Sequence, residues 1–229
     1  QVTGALVTAG TLVVATSATA AIDDAEGANL DAEDLSAIGA KTDGIVTVSN
    51  AVNISGTTEQ VTAALVTAGS LVVATSANIS LDDNPTISEL NAIAAKTDGA
   101  VTATLAANSL SNLGALTTAG TDVITITVND GVSTVNAEDL SALGGKTAGV
   151  VTVSNAVNIS GTTDQVTGAL VTAGTLVVAT TATVALDDNP TISELNAIAA
   201  KTDGAVTATL AANSLSNLGA LTTAGTDVI

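Results

Sequence analysis

The apolar positions of the chain recur in short segments that have helical spacing. In one such segment, Ile87, Leu90 and Ile93 fall three residues apart, which places them on one face of a helix. Ser88 and Glu89 stand at its start and Lys96 at its end, an arrangement that suits the helix dipole. The spacing predicts a short helix over 87–96, and we expect Gly99 to end it.

A second apolar pattern follows each of these segments. Residues 123–128 alternate from Ile124 on, so that Ile124, Ile126 and Val128 are expected to point inward and the threonines between them outward. Polar turns rich in Asp, Asn, Gly and Pro then close each recurrence. The pattern therefore predicts a helical turn, one or two short strands and a polar corner, repeated along the chain.

The recurrences belong to a tandem repeat. Residues 87–124 return unchanged as 192–229, a shift of 192 − 87 = 105 residues, and 32–86 has a close copy at 137–191. Fixed periods of this kind indicate repeat architectures. We therefore predict one continuous array that continues beyond residue 229. Its units lie near 1–31, 32–59, 60–86, 87–109, 110–136, 137–164, 165–191, 192–214 and 215–229.

Two kinds of unit alternate. One carries Lys-Thr-x-Gly after its opening segment, as at 96–99, and the other carries Thr-Ala-Gly, as at 67–69. Residues 1–24 match 60–83 although the 105-residue register calls for a unit like 110–136, so units of the second kind are interchangeable. Such exchange is typical of modules that contact only their neighbours.

These patterns predict a repeat protein that is a mostly β solenoid with stacked parallel strands. Helices pack about 8 to 10 Å apart whereas paired strands lie about 4.8 Å apart, so we expect helical segments only in alternating coils, those with Lys-Thr-x-Gly. Tandem small β-rich domains, each closed on itself, are the alternative architecture.

Composition supports thin, uniform layers and narrows the function. The chain has no Phe, Trp, Tyr, Met, Cys or His, and its 46 % apolar residues are aliphatic. Its formal charge is −18, which repels phosphate backbones and argues against nucleic-acid binding. No apolar run is long enough for a membrane helix, and no signal peptide is visible at Gln1. Without His, Cys or Tyr, and with its acids repeated in copies, the chain is not expected to be an enzyme.

Paired carboxylates at equivalent corners are the candidate metal ligands. With Asn and backbone carbonyls nearby, they offer the oxygen ligands that Ca²⁺ requires, although Asp and Asn are equally common as turn residues. The candidate calcium ligands are Asp23, Asp24, Asp82, Asp83, Asp187 and Asp188. We predict no other cofactor.

Three further patterns have both a functional and a structural interpretation. The four lysines occupy one equivalent position, where they could cross-link or dock an acidic partner, or simply offset a helix dipole. Outward Thr125 and Thr127 resemble the threonine ranks of ice-binding proteins, but most units lack the motif. Asn-x-Ser triplets beginning at Asn53, Asn78 and Asn158 would accept glycans if the chain is secreted.

Phrases such as ISELNAIAAKTDGAVTATLAANS and LSNLGALTTAGTDVITITVND resemble the repeats of giant cell-surface proteins of cyanobacteria, and the resemblance spans essentially the whole chain. It implies an extracellular structural or adhesive array and supplies no catalytic residues. We therefore expect a rod, surface layer or filament segment at the cell surface that associates with itself, end to end or laterally. The alternative is a calcium-stiffened adhesin or surface-binding module.

Overall fold

Short parallel strands alternate with short helices along the chain. The structure, a computed structural model, describes residues 17–67, 72–172, 174 and 176–229, so the first sixteen residues of the unit near 1–31 lie outside the described residues. The helices are α1 Ala32–Gly39, α2 Thr58–Val61 continuing as a π-helix over Thr62–Val66, α3 Ile87–Ala94, α4 Leu110–Leu113, α5 Ala137–Gly144, α6 Thr163–Leu170, α7 Ile192–Ala199 and α8 Leu215–Leu218. No helix in the described ranges has the length and apolar character needed to cross a membrane.

The strands contain two to six residues each. They are β1 Ala20–Ile22, β2 Asn29–Asp31, β3 Val46–Val48, β4 Asn53–Gly56, β5 Val72–Val73, β6 Asn78–Leu81, β7 Val101–Thr104, β8 Val123–Val128, β9 Thr134–Asn136, β10 Val151–Val153, β11 Asn158–Gly161, β12 Val177–Val178, β13 Thr183–Leu186 and β14 Val206–Thr207. Pairing between them joins one repeat to the next, so the backbone hydrogen bonds of a strand are completed by its neighbouring repeats.

The chain divides into two compact units. Among the described residues, the first holds those up to 105 together with 121–123. It contains two ladders of parallel strands, ordered β1-β3-β5 and β2-β4-β6-β7. In the second ladder Asn29 pairs with Asn53, and Asn53 pairs with Asn78. Equivalent positions of successive repeats therefore lie side by side.

The second unit, residues 106–120 and 124–229, repeats this arrangement. Its ladders are ordered β8-β10-β12 and β9-β11-β13-β14, and all their pairs are parallel. Val151 pairs with Ile126 on one side and Val177 on the other. Neighbouring partners are 151 − 126 = 25 and 177 − 151 = 26 residues apart, which is one repeat.

The core is built from branched aliphatic residues at the predicted positions. Ile124, Ile126 and Val128 of β8 are fully buried, which confirms the predicted alternation. The helix predicted over 87–96 is present as α3, and Leu90 and Ile93 are fully buried. It ends at Ala94, well before Gly99, so this glycine does not end the helix as predicted.

The predicted fold class, a mostly β solenoid with helices only in alternating coils, is wrong. Helices also form in the Thr-Ala-Gly units, and the protein is an α/β fold in which parallel sheets alternate with helices. Tandem small β-rich domains are wrong for the same reason. The cause is local: Thr57 and Gln60 form a capping box that starts α2, and Thr162 and Gln165 do the same for α6.

Small residues reduce the crowding between neighbouring helices that argued against a helix in every repeat. Gly168 of α6 lies against Ser141 of α5, where an added Cβ would be 3.3 Å from the serine Oγ. Ala137 and Ala169, on the same two helices, are fully buried. Because the distance between packed helices depends on the side chains at the contact, such residues allow a close approach.

Candidate functional site

The Lys-Thr-x-Gly motif is a contact between repeats, and its threonine makes that contact. In the second unit, the Thr147 hydroxyl donates to the Ile124 carbonyl at 2.9 Å and accepts the Ile124 N–H at 2.8 Å. It also accepts the Gly149 N–H at 2.7 Å. Thr147 is only 2 % exposed, so one buried hydroxyl satisfies backbone groups of two successive repeats.

The other three copies of the motif use the threonine in the same way. Each hydroxyl donates to a carbonyl of the preceding repeat and accepts the N–H of the motif's own glycine. The hydroxyl donors and their carbonyl acceptors are Thr42 with Ala18, Thr97 with Ala77, and Thr202 with Ala182. The N–H groups that these three hydroxyls accept are those of Gly44, Gly99 and Gly204, in the same order. In the sequence the lysine is the conspicuous residue of this motif, whereas the contact with the preceding repeat is made by the threonine.

The glycine of the motif lies against the backbone of the preceding repeat. A Cβ on Gly149 would be 2.3 Å from the Ile124 carbonyl oxygen, and one on Gly99 would be 2.2 Å from that of Ala77. Such distances are far shorter than van der Waals contact, so any side chain here would push the repeats apart. Glycine is required because of this close approach and not because a helix ends there.

The lysines differ in what they contact. Lys146 Nζ donates to the Gly114 carbonyl at 2.7 Å, and Gly114 is the C-terminal cap of α4 in the preceding repeat. A cation at a helix C-terminus offsets the negative end of the helix dipole. Lys41, Lys96 and Lys201 are exposed. For Lys146 the dipole interpretation is therefore supported, with the neighbouring repeat's helix as its target.

Two of the predicted calcium ligands cap the starts of helices that begin 25 residues earlier in the chain. Asp83 Oδ1 accepts the Thr58 N–H at 2.8 Å and the Thr58 hydroxyl at 2.5 Å, at the start of α2. Asp188 makes the same two contacts to Thr163 at the start of α6. The Thr58 hydroxyl and then its N–H lower the pKa of Asp83, and the Thr163 hydroxyl and N–H lower that of Asp188.

The remaining candidate ligands lie in turns between repeats. Asp23 Oδ1 and the Asp24 carbonyl both accept from the Asn50 amide, which holds the corner of the next repeat. Asp82 and Asp187 donate their N–H groups to Gly56 and Gly161. Across the residues that the structure describes, no group of three or more acidic side chains lies close enough to hold a metal ion. Calcium binding at these aspartates stays a prediction.

We expect acid to remove the contribution of Asp83 to stability. Because the folded-state pKa is lowered, this contribution is complete above the ordinary carboxyl pKa, near 4, and declines as pH falls through the lowered value. Asp83→Asn should therefore be less stable than the wild type at pH 7, and the difference should shrink below about pH 4. Urea unfolding at a series of pH values measures this, with exposed Asp82→Asn as the control. A difference that is constant with pH would contradict the assignment.

Asparagines at the start of successive strands form a ladder. Asn53 Nδ2 donates to Asn29 Oδ1 at 3.2 Å, Asn78 Nδ2 donates to Asn53 Oδ1 at 3.1 Å, and Asn78 Oδ1 accepts the Ala100 N–H at 3.1 Å. In the second unit, Asn158 Oδ1 accepts from the Thr183 hydroxyl. The residues that head the Asn-x-Ser triplets therefore connect neighbouring repeats, and glycosylation there stays a prediction.

Three aspartates that the sequence patterns did not single out bind backbone N–H groups of earlier segments of the chain. Asp130 accepts the Leu110 N–H at 2.7 Å, Asp122 that of Val101 at 2.8 Å, and Asp227 that of Val206 at 2.7 Å. Their partners lie 20 or 21 residues earlier in the chain. The sequence signal for Asp122 and Asp227 is that Thr-Ala-Gly-Thr-Asp-Val-Ile occurs in both copies of the 105-residue repeat.

The repeated polar side chains therefore bind the protein's own backbone. Searches of protein family models, of curated proteins and of solved structures found no match to this chain. Its function must be inferred from its own contacts.

Proposed function

We propose that this chain is a structural segment of an extracellular repeat array that forms a rod, a surface layer or a filament, and that it is not an enzyme. The observation that carries the proposal is the use of Lys-Thr-x-Gly. In all four copies the threonine hydroxyl binds a backbone carbonyl of the preceding repeat, and its glycine donates to the same hydroxyl. A motif that recurs in all four units of its kind thus serves to join repeats.

Backbone pairing supports the same role. The strands of each unit pair in parallel with strands one repeat away, so a repeat leaves backbone donors and acceptors open to the next one. Modules that complete each other in this way can be added or removed without a change in the contact. The chain duplicates a 105-residue block nearly unchanged, as an array that gains length by duplication would do.

The surface chemistry also suits a structural role outside the cell. A charge of −18 keeps copies apart in solution, because like-charged molecules repel each other. The chain has no cysteine, so oxidation to a disulfide or sulfenic acid does not threaten it outside the cell. The resemblance to cyanobacterial cell-surface repeats points to the same location.

Length scaling tests the proposal. We would insert one, two or three further copies of residues 32–136 between 136 and 137 and measure the maximum dimension by small-angle X-ray scattering in dilute solution. Each block holds four repeats, so we expect it to add about 4 × 4.8 Å, or about 19 Å. In a compact globule, by contrast, the radius of gyration grows only as roughly the 0.38 power of chain length, and the maximum dimension follows the same scaling.

A maximum dimension that follows the compact scaling would contradict the structural-array proposal. A control with the same number of added residues as a Gly/Ser linker would lengthen the particle without adding circular-dichroism signal for helix and strand, which separates folded growth from a flexible tail. Labelling of intact source cells with an antibody to this chain tests the location, and labelling only after lysis would contradict an extracellular role.

A further inference from the structure

Four Asp-Gly bonds occur in the chain, and three of them belong to the Lys-Thr-x-Gly motif. These three are Asp43-Gly44, Asp98-Gly99 and Asp203-Gly204, and the fourth is Asp130-Gly131, in the turn between β8 and β9. An aspartate that precedes glycine can rearrange without an enzyme, because glycine has no side chain to hinder the attack of its amide nitrogen on the aspartate carboxyl. The same reactive dipeptide therefore stands in two different structural settings.

In the motif, the glycine nitrogen is held in place. Its N–H donates to the hydroxyl of the motif's threonine, at 2.9 Å in Gly44 and Gly99 and at 3.0 Å in Gly204. The backbone of the preceding repeat also lies against these glycines, which leaves their peptide groups no room to turn. The aspartates of all three copies are exposed. The motif therefore restrains the attacking nitrogen and not the access of water to the carboxyl.

Gly131 is not held in this way. Its N–H makes no hydrogen bond within the part of the chain that the structure describes, and a Cβ placed on it would meet nothing within 4 Å. The neighbouring Asp130 carboxyl is fixed, because its Oδ2 accepts the Leu110 N–H at 2.7 Å. That N–H also stabilises the negative charge that develops on this oxygen when the nitrogen attacks the carboxyl carbon. The turn thus combines a free nitrogen with a fixed, polarised carboxyl.

We propose that Asp130-Gly131 is a self-modification site, at which aspartate rearranges to isoaspartate, and that Lys-Thr-x-Gly protects its own Asp-Gly bonds from this reaction. First the Gly131 nitrogen bonds to the Asp130 Cγ, the carboxyl hydroxyl leaves as water with the amide proton, and a succinimide ring forms. Water then adds to one ring carbonyl and opens the ring. Opening at Cγ restores aspartate, whereas opening at the α-carbonyl leaves Gly131 attached through Cγ, which is isoaspartate. Water is the only co-reactant, so the reaction is independent of the proposed function.

The rearrangement replaces both groups with which Asp130 joins neighbouring segments. Its carboxylate accepts from Leu110, and its carbonyl accepts from the Asn155 Nδ2 of the following repeat at 2.6 Å. In isoaspartate the former side-chain carboxyl becomes the peptide link, the former carbonyl becomes a free carboxylate, and the backbone path gains one methylene group. We therefore expect this joint between repeats to weaken as the protein ages.

Peptide mapping of the folded chain during storage in a mildly acidic buffer tests the assignment. Cleavage after lysine places Asp98 and Asp130 on one peptide, 97–146, and Asp203 on the shorter peptide 202–229, so the repeated copies are told apart. Fragmentation by electron transfer then locates isoaspartate within each peptide. We expect at least about fivefold more isoaspartate at Asp130 than at Asp98, because attack by the motif's glycine first requires the loss of its N–H hydrogen bond.

The denatured chain supplies the reference. In guanidinium chloride the motif no longer holds its glycine, so the amounts of isoaspartate at Asp98 and Asp130 should become similar. Gly131→Ala should remove most of the isoaspartate at Asp130 in the folded chain, because the added methyl group hinders the attack, and open space around it leaves the fold intact.

Thr97→Val tests the protection by the motif. It frees the Gly99 N–H and should raise isoaspartate at Asp98 but not at Asp130. Thr97→Ser, which keeps a hydroxyl, is the matched control, and circular dichroism checks that both variants are folded.

Isoaspartate at Asp130 that does not exceed that at Asp98 in the folded chain would overturn the proposal. A preference for Asp130 that persists in guanidinium chloride would do the same, since it would come from the sequence and not from the fold. If Asp98 rearranges no faster in Thr97→Val than in Thr97→Ser, the motif does not protect its Asp-Gly bond. None of these results depends on how length grows with added blocks, so the two proposals fail separately.

Discussion

Gly149→Ala should lower the free energy of unfolding of the second unit by about 3 kcal/mol or more. An added Cβ would lie 2.3 Å from the Ile124 carbonyl oxygen and 2.6 Å from its carbon. Both are backbone atoms and no flexible side chain can move aside, so the two repeats must separate along their paired strands. Overpacking typically costs about 1 to 3 kcal/mol, and a clash between two backbones should lie at or above the upper end.

Gly131→Ala is the matched control for this substitution. An added Cβ at Gly131 would meet nothing within 4 Å, so the change should stay within about 0.5 kcal/mol. Urea unfolding followed by far-ultraviolet circular dichroism measures both variants, since a chain without Trp or Tyr gives no intrinsic fluorescence signal. Equal unfolding midpoints for the two variants would show that the close approach at Gly149 does not exist.

Thr147→Val should cost about 2 to 4 kcal/mol although valine has nearly the same shape. The substitution removes the hydroxyl that binds the Ile124 N–H, the Ile124 carbonyl and the Gly149 N–H. A buried polar group left without a partner costs about 1 to 3 kcal/mol. The three backbone groups share one hydroxyl, so we expect a total cost below the sum of three separate losses. Urea unfolding again measures the effect.

Thr152→Val provides the comparison, because Thr152 is an exposed residue of β10 in the same repeat. Its substitution should change stability by about 0.5 kcal/mol or less. If Thr147→Val proves as mild as Thr152→Val, the hydroxyl of the motif does not hold the repeats together.

The parts of this fold that could be predicted from sequence are those with a local signal. The three-residue spacing of Ile87, Leu90 and Ile93 predicted α3, and strict alternation predicted the inward side of β8. The capping box of Thr57 and Gln60 is a local signal for helix α2 as well, but the spacing argument against a helix in every repeat outweighs it at the level of sequence.

Contacts between repeats could not be predicted in the same way. Asp83 reads locally as a turn residue or a cation ligand, and its partner Thr58 lies 25 residues away. The sequence around Gly99 indicates the end of a helix, yet glycine is required there because the Ala77 backbone of the preceding repeat approaches it closely. The fold class was wrong because helix spacing was judged without the small residues, such as Gly168 and Ser141, that face each other. Such contacts depend on the register between neighbouring repeats, and the sequence of a single repeat does not determine that register.

Hydrogen exchange of the Ile124 amide tests most directly the claim that the repeats are joined through the threonine of Lys-Thr-x-Gly. Residue-resolved NMR is required, because 87–124 and 192–229 would give the same peptides in mass spectrometry. In Thr147→Val we expect faster exchange at Gly149 and also at Ile124, one repeat earlier, with both amides unchanged in Thr152→Val. Unchanged protection at Ile124 in Thr147→Val would contradict the account.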